Sequence, residues 1–144
     1  MSSDLASAEP LAESLGRLAL FNDLPPEALE GLVSTVRELH VGEGAWVLHE
    51  GDENAGLHVI LEGDAGIVAE GVELAVLHAG MFFGEISVLL DEPVAASVVA
   101  RSPLRCAVID RAELGPFLLD HPSVALRLLQ AEARRVAELI RWRA

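Results

Sequence analysis

Between Arg37 and Asp110 the chain is a series of short runs rich in Val, Ile and Leu, broken roughly every eight to twelve residues by glycine-bearing turns. The turns fall at Gly42-Glu-Gly44, Gly51-Asp-Glu-Asn54, Gly63-Asp64, Gly71 and Gly80. This spacing predicts strands at 45–49, 57–61, 66–69, 73–78, 96–101 and 104–109. The gaps are too short for crossover helices, which excludes a parallel sheet and makes sequential pairing antiparallel. The fold class is α+β: an antiparallel β roll, a jelly-roll-like barrel, with helices at both ends.

Those helices have their own signals. From Glu9 to Leu20, Leu11, Leu15 and Leu18 recur at helical spacing, with Pro10 available for the first turn. Pro26 and Glu27 open a second helix with the stripe Leu29, Leu32, Val33 and Val36. Residues 81–93 are too many for a hairpin loop, and Phe83 to Leu90 reads as a helical turn inserted into the sheet, either a functional loop or a plug over the open end of the roll. Asp110 and Glu113 have the spacing of a capping box before a short helix ending at Leu119. Pro122 starts the long terminal helix, 122–143, where Leu126, Leu129, Ala133, Val136 and Ile140 form a narrow seam suited to a partner helix or to the chain's own roll.

At 144 residues, with no composition break or linker, the chain is one domain, 1–144, with a flexible segment expected over 1–16. Half of the residues are apolar, 51%, so a packed core offsets the ordering entropy and disorder is excluded. The formal net charge of −13 repels phosphate backbones and anionic membrane surfaces, so neither nucleic acid nor membrane is an expected partner. No basic leader with an apolar run opens the chain, which gives an expected cytoplasmic location. Cys106 is the single cysteine and sits in an apolar run, the setting of a buried, inert thiol.

The most specific stretch is Phe83-Gly-Glu-Ile-Ser-Val-Leu-Leu-Asp-Glu-Pro-Val-Ala-Ala-Ser-Val98. It resembles the phosphate-binding cassette of the cyclic-nucleotide-binding domain family, the module of the catabolite activator protein and of protein kinase A regulatory subunits. That cassette runs Phe-Gly-Glu-Leu-Ala-Leu, a short variable stretch, then Pro-Arg-Ala-Ala-Thr/Ser-Val. The resemblance extends over about residues 17 to 140, through Leu20-Phe21, Leu24, the Gly51, Gly63 and Gly80 turns, Ile109-Asp-Arg111 and His121-Pro122. It implies a ligand site at Phe83, Gly84, Glu85, Ile86, Ser87, Val94, Ala95, Ala96 and Ser97.

By that resemblance Gly84 and the helix start face an anion and Glu85 holds a ribose hydroxyl; read from the residues alone, Glu85 is equally an ordinary capping carboxylate. Ser97 reads as a strand residue. The departure is Val94, where the family places the arginine that pairs with the cyclic phosphate. Losing such a group costs about 2 to 5 kcal/mol, or roughly 30- to 3,000-fold in affinity. The chain has no lysine, and Arg101 and Arg105, on strands after the cassette, are not evident replacements. Ala95 lacks the hydroxyl of cGMP-preferring members, so by resemblance the expected ligand is cAMP or another cyclic nucleotide, held weakly. Trp142 stands where relatives supply an aromatic lid, and the arginines around it otherwise answer the negative end of the helix dipole.

Catalysis finds no constellation: no nucleophile elbow and no phosphate loop ending in Lys occurs. His40, His49, His58, His78 and His121 are scattered, and Glu50-Gly51 after His49 removes the paired histidines of a cupin. A haem on a solitary histidine such as His78 would need a second ligand or an open site that the sequence does not announce. No cofactor, metal or enzymatic activity is expected. Two functions compete, a ligand sensor acting through an unidentified effector protein and a dimerising or docking module that has lost its nucleotide. Relatives that bind DNA continue past the long helix into a helix-turn-helix, so output through another protein is the expectation.

Overall fold

A computed structural model of the chain describes residues 10–53 and 55–143, the side chains of Trp142 and Arg143 excepted. Helices α1 (Leu11–Gly16) and α2 (Pro26–Thr35) lead into strands β1 (Arg37–Val41), β2 (Trp46–Leu48), β3 (Leu57–Glu62), β4 (Ala65–Ala69), β5 (Val72–Leu77) and β6 (Phe82–Phe83). Helix α3 (Glu85–Leu90) then interrupts the sheet before β7 (Ser97–Ala100) and β8 (Leu104–Ile109), and α4 (Arg111–Asp120) and α5 (Pro122–Arg143) close the chain.

All strand pairs are antiparallel and form two four-stranded sheets, ordered β1-β8-β3-β6 and β2-β7-β4-β5. The two sheets face each other as the antiparallel β roll that the glycine-punctuated runs imply. Strand β8 shows why its sequence carries so little polarity. Ala107 and Ile109 point to a core shared with Leu15, Leu32, Leu114 and Val124 of the helices, while Leu104, Cys106 and Val108 point into the roll. A strand buried on both faces needs a continuous apolar run. Burial pushes the Cys106 thiol up to about 12, which keeps it protonated.

Arg105, on this same strand, is 5% exposed and held by Glu38 Oε2 at 2.8 Å and Glu62 Oε2 at 3.0 Å. Its hydrogen bond is the leading reason that Glu38 titrates below the usual carboxylate range. Arg101 pairs with Glu73 on β5. Both arginines considered as substitutes for the missing cassette cation are committed elsewhere.

Several expectations need correction. Strands β1 and β6 have no strand signal: β1 is polar at three of its five positions, and β6 is two residues long. The first helix stops at Gly16, and the chain continues in turns to Asp23. Leu15 and Ser14 are nonetheless buried, so from Pro10 onward this part of the segment 1–16 is fixed to the fold; residues 1–9 lie outside the described residues. Asp110 makes no side-chain cap, because its Oδ1 accepts from Arg37 Nη2 at 3.1 Å. The terminal helix buries Val124 and Leu128, whereas Leu126, Leu129, Ala133, Val136 and Ile140 face solvent, so the seam does not pack on the roll.

Candidate functional site

The site begins as a row of apolar side chains. Leu48, Val98, Ile67 and Ala75 stand opposite one another across β2, β7, β4 and β5, and form one wall of a cavity of about 260 Å³. Strand β6 supplies the opposite side. Pairing with β3 sets Phe83 against His58, with the rings stacked 4.7 Å apart. His58 is 5% exposed, its Nδ1 bonds the Gly56 carbonyl at 3.0 Å, and burial keeps its pKa below the ordinary value.

Gly84, at φ 87°, then turns the chain into α3. That conformation suits glycine, and a Cβ here would stand 2.2 Å from the Gly56 carbonyl oxygen. The far end of α3 is clamped by Arg111, which donates to the Ser87 carbonyl and to Asp91 Oδ1, both at 2.9 Å. Ser87 Oγ donates to the Glu92 carbonyl at 2.5 Å.

Of the residues singled out in the sequence, Phe83, Gly84, Glu85, Ile86, Ser87, Val94, Ala95 and Ala96 all line this cavity. Ser97 does not; it starts β7 and its Oγ accepts from the Glu50 amide at 2.9 Å. Val94 is 8% exposed and pinned on both sides, its N–H donating to Asp52 O at 2.9 Å and its carbonyl accepting from Gly51 N at 2.8 Å. The lid position, Trp142, lies outside the described side chains.

The residue that sequence reasoning missed is Arg135. From α5 it reaches the cavity, where Nη1 donates to Glu85 Oε2 at 2.9 Å and Glu132 Oε1 at 2.8 Å, and Nη2 donates to the Phe82 carbonyl at 2.9 Å. Its guanidinium lies 4.4 Å from the centre of the Phe82 ring. The signal was available in the helical period, because Leu128, Ala131 and Arg135 share the face that α5 turns inward.

Glu85 is 2% exposed, and its pKa is pushed up to about 8 by burial first and then by its hydrogen bond to Glu132 and that group's charge. Arg135 opposes this only in part. Near neutral pH the Glu85 carboxyl therefore keeps its proton, beside Glu132 and the Arg135 guanidinium. The folded pKa lies above the ordinary 4.5, so the folded state retains a proton that the unfolded chain has released between those values. This stabilisation is complete below pH 4.5 and disappears as pH rises through about 8. Native stability relative to Glu85→Gln should fall by about 4 kcal/mol between pH 5 and pH 8.5, as urea unfolding at the two values would measure. A pH-independent difference would mean that Glu85 is ionised throughout.

Two facing sheets, an inserted helix over the cavity and a terminal helix closing on it define a β-roll domain with a candidate ligand cavity. The chain belongs to the cyclic nucleotide-binding domain family, whose pattern matches residues 38–121. It is 29% identical over 112 residues to a cAMP-dependent protein kinase regulatory subunit of Yarrowia lipolytica, covering 78% of this chain and 30% of that protein. The catabolite activator protein of Thermus thermophilus is 27% identical with a TM-score of 0.73, over 83% of this chain and 59% of that one. The N-terminal domain of a transcriptional regulator from Streptomyces coelicolor A3(2) is 29% identical with a TM-score of 0.65, over 91% and 95% of the two chains. The chain thus spans less than a third of the kinase subunit and about three fifths of the activator.

Proposed function

We propose that this chain is a non-catalytic regulatory domain of the cyclic-nucleotide-binding type that holds cyclic nucleotides weakly and acts on a partner protein. The observation that carries the reading is Val94 at the family's arginine position, together with the commitment of Arg135 to Glu85, Glu132 and Phe82. A cyclic phosphate entering here meets a valine where relatives offer two donors and a full charge. Ala95 leans the residual preference toward cAMP. A cytoplasmic setting belongs to the same proposal and accords with the free, buried Cys106. Thermal unfolding with cAMP, cGMP and cyclic dinucleotides at 100 μM tests it, with stabilisation of at most about 1.5 kcal/mol expected for a Kd of 10 μM or weaker. Stabilisation well beyond that would overturn the reading.

A second reading, as a dimerising module, is favoured by the solvent-facing seam. Leu126, Leu129, Val136 and Ile140 are each more than half exposed, at heptad spacing on a 22-residue helix. Two copies meeting on a two-fold axis would bury the same patch on each. Val136→Glu would set like charges across that axis, and light scattering at tens of micromolar should then show a native dimer shifting to monomer. A native monomer rejects this second reading.

A further inference from the structure

Taking the cavity as the ligand site, as the proposed function does, we propose that its ligand is a small, uncharged, predominantly apolar molecule able to offer one hydroxyl to Glu85. The inference rests on what the polar atoms around the cavity are already doing. The Val94 N–H and C=O are bonded to Asp52 and Gly51. Ser87 Oγ is bonded to the Glu92 carbonyl, and the Arg135 guanidinium is shared among two carboxyls and the Phe82 carbonyl.

A charged ligand would leave water for a wall made of Leu48, Ile67, Leu77, Val94 and Val98, where the charged lining residues among those described, Glu85 and Arg135, are already paired. An unpaired charge buried in such surroundings is strongly disfavoured, whereas apolar surface entering the same space is favoured in proportion to its area. Neither sign of charge suits the site: an anion competes with Glu85 and Glu132 for Arg135, and a cation displaces Arg135 from both. A neutral hydroxyl has a place, because Glu85 is a buried carboxyl that retains acceptor capacity beside Arg135. At about 260 Å³ the cavity is just below the usual range for small-molecule sites, which limits the ligand to a compact one.

The test uses two probes with one ring system, 2-naphthol and 2-naphthoate, titrated into the native chain, Val94→Arg and Val136→Glu and followed by the probes' fluorescence. The native chain should bind the naphthol saturably and the naphthoate at least tenfold more weakly. Val94→Arg should narrow or reverse that ratio, and Val136→Glu, on the exposed seam, should leave it unchanged. Circular dichroism of each variant confirms folding. Equal binding of the two probes, no saturation with either, or loss of naphthol binding in Val136→Glu would overturn the inference. These failures are separable from failure of the weak-nucleotide reading, which tight cAMP binding alone would overturn.

Discussion

Replacing Gly84 with Ala should destabilise the domain by about 2 to 5 kcal/mol and pull the cassette off strand β3. Two independent costs add here. The φ of 87° is a region where a side chain costs about 1 to 2 kcal/mol. The new Cβ would then stand 2.2 Å from the Gly56 carbonyl oxygen, and that atom is backbone, held in turn by His58 Nδ1 at 3.0 Å. Relieving the clash means shifting the start of β3 or swinging α3 outward, with an overpacking cost of about 1 to 3 kcal/mol. Gly71→Ala is the matched control. Its φ is 78°, but nothing lies within 4 Å of the added carbon, so it should show the conformational cost alone. Equal destabilisation of the two variants in urea unfolding would show that contact with Gly56 contributes nothing.

The second large effect is expected at Val94. Arginine at this position points into an open cavity, so its charge can be partly solvated when no ligand is bound, and Glu85 and Ser87 stand on the facing element. When a cyclic phosphate enters, the guanidinium restores two donors and a full charge. The gain in cAMP affinity should be roughly 30- to 3,000-fold, equivalent to about 2 to 5 kcal/mol. Val94→Met, similar in reach and without charge, should give no gain, which separates electrostatics from a change in cavity shape.

The sequence carried more of the fold than of the site's chemistry, and the reasons are physical. Glycine turns and apolar runs are local signals, and they locate β3, β4, β5, β7 and β8 to within about two residues. The weakly patterned Arg37-Glu-Leu-His-Val41 pairs with β8 only because the partner is there to receive it, which no local window contains. The cassette was legible because its residues are contiguous, and eight of the nine candidates line the cavity. Arg135 lies 50 positions from Glu85 and reaches it only through the docking of α5, so the helical period shows that it faces inward but not which carboxyl it meets. The same docking decides that Leu128 is buried and Leu129 exposed, a choice the heptad pattern left open between the roll and a partner.

The most direct test is a calorimetric titration of cAMP into the native chain and into Val94→Arg under identical salt and pH. The absence of a cassette cation predicts a native Kd in the micromolar range or weaker, with the arginine variant tighter by at least about 30-fold, a difference of about 2 kcal/mol or more. Submicromolar binding by the native chain, or an arginine variant that folds and gains nothing, would contradict the account.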